Sequence, residues 1–326
     1  MKDNQKINDK FAGAVLAKVT RGDLVESLHL GHLIVLNADG STYLSKGSPE
    51  LPIYPRSAIK SLQAAAMLKA GLKVELNELA IICASHSGSQ NHIDLVTKML
   101  TSRDISILQL KNAVDKPLGE KEKFSWGEKP ASQLAQNCSG KHAGMLITCQ
   151  QKGWDMNSYL DLDHPLQIAI KNEIEELSGE KVSAVSVDGC GAPLFAISLI
   201  GLAKAIANLV KSKEDSYQQI VSACIKYPEL VAGDGRLTTR MMRAVPGLFM
   251  KEGAEGVQVC AVRDGRVIAI KIIDGSWRPV APIIMEIFKR WGVAMPDESV
   301  KIYGGRRQLG AVIACLKSDT TFSNLQ

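Results

Sequence analysis

Two hairpin patterns stand near opposite ends of the chain, and most of what lies between them is written in helical spacing. HLIVLNADGSTYLSKG alternates as a strand does, turns at Ala38-Asp39-Gly40 and returns, and VQVCAVRDGRVIAIKIIDG repeats this around Asp264-Gly265. Between them SAIKSLQAAAMLKAG stops at Gly71, NELAIICA opens with Asn77 as its cap, and SGKHAGMLITCQQKG runs from Ser139 to Gly153. DHPLQIAIKNEIEELSG has Asp163 ahead of Pro165, and APLFAISLIGLAKAIANLV is expected to be helical from just after Pro193, both placing proline in a first turn. APIIMEIFKRWG has the same spacing and ends at Gly292. Strands from the chain ends and helices from the middle predict an α+β fold, an antiparallel sheet packed with helices. The 326 residues hold no Pro/Gly/Ser-rich linker, internal repeat or low-complexity tract, so a single domain over 1–326 is expected.

The balance of 39 basic and 34 acidic residues is spread along the chain, without the basic clusters that grip phosphates, so nucleic acid is not an expected partner. MKDNQKINDKFAGAVLAKV is polar where a secretory signal needs an apolar core, and no later run approaches a membrane span. A soluble, cytoplasmic protein with no membrane partner is expected. Cys83, Cys138, Cys149, Cys190, Cys224, Cys260 and Cys315 are odd in number and dispersed, which fits reduced thiols packed mostly as small apolar residues.

PRSAIKSLQ puts Ser57 three residues before Lys60, hence on one helix face. A serine hydroxyl becomes a nucleophile when a base takes its proton, and lysine is that base once burial or a neighbouring cation lowers its pKa. The plain alternative is a helix cap beside a solvated lysine. CASHSGSQNH places Ser85, His86, Ser87 and Ser89 after an apolar helix, where they either enter a cleft or form a capping loop with Ser89 opening the next helix. FMKEGAEGVQV places Lys251 two residues before Gly253 at a strand, and Lys-x-Gly on an edge strand is a partner of Ser-x-x-Lys in serine amidases. In NCSGKHAGML and VDGCGAPLF, Cys138 and Cys190 sit beside glycines at expected helix starts. Two thiolates can begin a zinc site, but the usual further Cys or His spacings are missing, so His142, Asp188 or Lys141 would have to complete it, lysine only as its neutral amine. Otherwise the two are packed thiols.

Taken together, RGDLVESLHLGHLIVLNADG, YPRSAIKSLQA, CASHSG, NCSGKHAGML, DGCGAP, KEGAEGV and AIKIIDG resemble, in order, the bacterial L-asparaginase II family of the inducible Rhizobium type, over about Val19 to Trp277. The resemblance implies a fold similar to serine β-lactamases and glutaminases. It also implies hydrolysis of L-asparagine to L-aspartate and ammonia by two Ser/Lys tandems, which fall on Ser57 with Lys60 and on Ser85 with Lys251. It implies one zinc per chain on Cys138, Lys141 and Cys190, close to the active site, and a homodimer. Arg56, His86, His142 and Asp188 are then the substrate-binding candidates. A guanidinium fork for the substrate's α-carboxylate is sought in Arg56, Arg240 or Arg243. Lys271, on a second strand, competes with Lys251 for the second tandem, and Glu252 occupies the position where β-lactamases carry a hydroxyl. Which serine attacks is left open. The rival readings are a serine glutaminase, since one methylene shifts discrimination by only about 1–3 kcal/mol, and a zinc-binding protein without catalysis.

Overall fold

The computed structural model describes residues 13–317. It opens with strands β1 (Ala14–Arg21), β2 (Leu24–Leu36) and β3 (Thr42–Lys46), followed by the two-residue β4 (Pro52–Ile53) and a 3₁₀ turn at Arg56–Ile59. Helices α1 (Lys60–Lys69), α2 (Leu76–Ile82), α3 (Gln90–Thr101), α4 (Glu120–Trp126), α5 (Ser139–Lys152) and α6 (Pro165–Ser178) come next. Strands β5 (Ala184–Val187) and β6 (Pro193–Ser198) precede α7 (Leu199–Lys211), α8 (Asp215–Lys226), the single turn α9 (Pro228–Val231) and α10 (Leu237–Ala244). The chain closes with β7 (Phe249–Gly253), β8 (Val257–Ala261), β9 (Val267–Ile272), α11 (Val280–Arg290), β10 (Lys301–Gly304) and β11 (Arg307–Ala314).

The chain ends build one antiparallel sheet in the order β10-β11-β1-β2-β9-β8-β7, with β3 also on β2, as the α+β expectation holds. The thirteen-residue β2 serves two neighbours on one side, β1 along its first half and β3 along its second, while β9 lies along its other side. Both expected turns form: Asp39 Oδ1 accepts from the Ser41 N–H at 2.9 Å, Asp264 Oδ1 from the Arg266 N–H at 3.0 Å, and Gly40 and Gly265 take positive φ between them. All five residues of β8 are buried, as are five of the six in β9, the pattern of strands covered on both faces. Helix α7 crosses β2, β8 and β9 and meets α1, α6 and α8 on its other side.

Two local expectations are corrected. Pro193–Ser198 is a strand, not the start of a helix; it joins β4 and β5 in a separate small sheet, and α7 begins only at Leu199, capped by the Ser198 hydroxyl accepting from the Gly201 N–H at 2.8 Å. PLFAIS is buried at every position, and a short continuous apolar run has no period that tells strand from helix. Helix α2 is capped by Glu75 in a reciprocal box with Glu78, so Asn77 lies inside its first turn. Among the described residues no helix is long and apolar enough to cross a membrane.

Candidate active site

The edge strand β7 lies directly against the 3₁₀ turn that carries Ser57. Contact this close needs Gly253: a Cβ there would overlap the Pro55 carbonyl oxygen and stand 3.0 Å from the Ala58 nitrogen. The glycine of Lys-x-Gly therefore admits the serine's own turn. Within that turn Arg56 adopts φ +53, a left-handed conformation that costs a non-glycine residue about 1 kcal/mol or more. It is held there by its Nε, which donates to Asp188 Oδ1 at 2.7 Å. Ser57 follows and lines a cleft of about 440 Å³, whose walls also carry Arg56, Ser85, Cys138, Asp188, Cys190, Arg236 and Glu252.

Three lysines beside the cleft are buried: Lys60, Lys251 and Lys141. Lys60 Nζ does not hydrogen-bond Ser57; it donates to the Ala84 carbonyl at 2.5 Å and to Cys138 Sγ at 3.0 Å. Lys251 Nζ donates to the Glu252 carbonyl at 2.8 Å, and its pKa is lowered to about 7, first by burial and then by the charge of nearby Lys60. A lysine with that pKa holds a neutral amine for a large part of the time at neutral pH. Lys271, the competing lysine, is instead half-buried on β9; it donates to the carbonyls of Ile272 and of Glu255, which lines the cleft, but does not line the cleft itself.

Ser85 also lines the cleft, from the segment between α2 and α3. Its Oγ accepts from Asn137 Nδ2 at 2.7 Å, and its carbonyl accepts from Arg236 Nη1 at 2.7 Å. Gln136 Nε2 donates to Asn137 Oδ1 at 2.9 Å, which leaves the amide's donor end facing the serine. Arg236 also ion-pairs with Glu252, whose other oxygen accepts from Thr238 Oγ1 at 3.2 Å. Asn137 and Arg236 are absent from the sequence candidates: Asn137 opens NCSGKHAGML but its amide carries no chemistry of its own there, and Arg236 lies in no quoted motif. Arg240 and Arg243, proposed there as carboxylate forks, pair with Glu298 and with Glu229 and Asp234 and do not line the cleft.

His86 follows Ser85 but turns into the protein. Its Nδ1 accepts from the Gly88 N–H at 3.1 Å, so its Nε2 carries the proton and donates to Ser139 Oγ at 2.8 Å, and the ring stacks on His92. Ser87 bonds Glu122, and Ser89 caps α3 as expected. His142 is likewise internal, with Nδ1 on Tyr159 Oη at 2.8 Å, and burial holds the pKa of both histidines well below the ordinary value. Neither ring lines the cleft, so neither stands where the substrate-binding expectation put it.

Cys138, the N-cap of α5, and Cys190, in the turn before β6 and not at a helix start, pack together at the floor of the cleft. A hydrogen bond from the Cys138 thiol, aided by the Lys141 charge, holds the Cys190 pKa down to about 5 against the opposing effect of burial. The same bond and burial push Cys138 up to about 12. Lys141 Nζ donates to Cys190 Sγ at 3.1 Å; burial opposes its charge, but the two sulfurs and Asp188 outweigh that and raise its pKa. Burial also opposes the charge of Asp188, which Lys141 and Arg56 nonetheless hold below the usual carboxylate value. Among the described residues no group of three His, Cys, Asp or Glu side chains is arranged to hold a metal, so zinc here needs Lys141 as its third donor. Two sulfurs and a nitrogen 3.1 Å from one of them make a donor set that fits once Lys141, an ammonium while no metal is bound, gives up its proton as the ion binds.

The family model for L-asparaginase II matches residues 17–309. The chain belongs to that family. No curated protein matches the chain. Among solved structures, a putative β-lactamase from Bacteroides dorei aligns at 11% identity over 74% of this chain and 84% of that one, with a TM-score of 0.43. A β-lactamase from Mycobacterium bovis aligns at 14% identity over 80% and 94%, again at 0.43.

Proposed function

We propose that the cleft hydrolyses L-asparagine to L-aspartate and ammonia, with Ser57 as the nucleophile. The observation that carries this reading is the contrast between the two serines. Ser85 Oγ already accepts a hydrogen bond from Asn137, whereas Ser57 lies on a strained turn in the cleft, with no hydrogen bond to its hydroxyl among the described residues.

In this scheme Ser57 Oγ attacks the side-chain amide carbon while its proton passes to the buried lysine pair, where Lys251 is the member with the lowered pKa. The developing oxyanion is met by the Ser57 N–H, which precedes the first bonded N–H of the turn, that of Ala58 to the Pro55 carbonyl. The lysine pair then returns that proton by way of the Ser85 hydroxyl, steadied by Asn137, to the departing amide nitrogen, which leaves as ammonia. Water then cleaves the aspartyl ester by the reverse proton path. Arg56 spends Nε on Asp188 and presents its remaining guanidinium nitrogens to the α-carboxylate, while Glu252 and Asp115 give the cleft negative charge for the α-ammonium. Cys138, Lys141 and Cys190 would hold zinc, which when bound supplies positive charge beside the substrate.

The test is ammonia release from L-asparagine and, separately, from L-glutamine. Turnover of asparagine at a kcat/KM at least about tenfold above that for glutamine is expected, within the reach of one methylene. Equal turnover of both would place the chain among general serine amidases, and no release from either would overturn the reading.

A further inference from the structure

We infer that Cys138 and Cys190 form a peroxide-sensitive dithiol that closes to a reversible disulfide. All seven cysteines are free thiols, and Cys138 and Cys190 pack together with Ala192 in one small buried cluster. Of the seven, Cys138 and Cys190 alone line the cleft, where a small oxidant can enter; Cys83 and Cys224, for comparison, are buried in the main core. The two reactive sulfurs come from separate segments. Cys138 is fixed at the start of α5, whereas Cys190 stands between Gly189 and Gly191, and Gly191 takes φ +90. Such a glycine-flanked turn can adjust its backbone to the narrow geometry that a disulfide demands.

The chemistry balances with a hydroperoxide as the oxidant. The Cys190 sulfur attacks one peroxide oxygen, the O–O bond breaks, and the other oxygen leaves as an alcohol or water after taking up a proton from Lys141 Nζ, 3.1 Å from that sulfur. Cys190 is then a sulfenic acid. Cys138 attacks the Cys190 sulfur, the S–O bond breaks, and the released hydroxide leaves as water with the Cys138 proton. Two electrons have moved from the thiol pair to the peroxide. The bond has two structural consequences: two of the three donors that suit zinc are consumed, and Lys60 loses the thiol that shares its ammonium with the Ala84 carbonyl.

The experiment treats the full chain, freed of metal by a chelator, with hydrogen peroxide, then blocks remaining thiols and maps peptides without reduction. The expected result is one cross-linked peptide joining Cys138 to Cys190, a fall in free thiols from seven to five, and full recovery with dithiothreitol. The Cys190→Ser variant should keep its remaining thiols under the same treatment. Recovery of Cys138 and Cys190 as separate blocked thiols or separate sulfinic acids would overturn the inference. A Cys83–Cys224 cross-link forming at the same rate would also overturn it, because access through the cleft would then not be what selects the pair.

Discussion

Replacing Lys251 by methionine should stabilise the protein while removing its activity. The amine is buried on β7 with its pKa lowered from 10.5 to about 7. Between these two values the unfolded chain holds a proton that the folded chain has released, so stability rises with pH across that window and the penalty is complete below it. At ~1.4 kcal/mol per unit, the shift corresponds to about 4 kcal/mol at pH 7, where the folded amine is half protonated, and about 2 kcal/mol at pH 9. Methionine is unbranched and of similar length, so packing is largely kept, while the lost hydrogen bond to the Glu252 carbonyl takes back roughly 1 kcal/mol. The net expectation is a gain of about 3 kcal/mol at pH 7 that shrinks to about 1 kcal/mol at pH 9. Urea denaturation at both values, followed by tryptophan fluorescence, measures it. A variant less stable than the parent at pH 7, or a gain independent of pH, would refute the reasoning. Stability gained with function lost is the signature of a buried charge kept for chemistry.

Three further outcomes follow from the same geometry. Gly253→Ala forces a Cβ onto the Pro55 carbonyl, which should cost about 1–3 kcal/mol in thermal or urea denaturation and lower kcat through displacement of Ser57; unchanged stability and rate would mean the strand and turn are not in contact in solution. Arg56→Lys keeps the charge but loses the fork and its grip on Asp188, so KM for asparagine should rise by on the order of tenfold with a smaller change in kcat. The pH profile of kcat/KM should rise through about 7 as Lys251 releases its proton, and a profile that falls across that range would point to a protonated group as the essential one.

What was readable in the sequence was local. Asp39-Gly40 and Asp264-Gly265 announce their turns because the carboxylate and the glycine each do a defined job there. Ser57, Lys60, Cys138 and Lys141 were found because each pair shares a segment, and spacing three along a helix is a statement about space. The pairing of β1 with β11 joins residues almost three hundred positions apart, which no local period records. Arg236 and Asn137 reach Ser85 from distant segments; the guanidinium candidates were Arg56, Arg240 and Arg243, of which the last two pair with acidic side chains, while Arg236, one turn before Arg240, was missed. His86 misled for the opposite reason: its neighbour Ser85 faces the cleft, so in an extended segment the next side chain faces the core.

The nucleophile itself is open to direct capture. Protein mixed with L-asparagine, quenched in acid within the first turnovers and digested, can be searched for an aspartyl ester by mass. The account predicts the adduct on the peptide containing Ser57, and its absence, together with loss of ammonia release, in Ser57→Ala. An adduct on Ser85 or Cys190, or full turnover by Ser57→Ala, would contradict it.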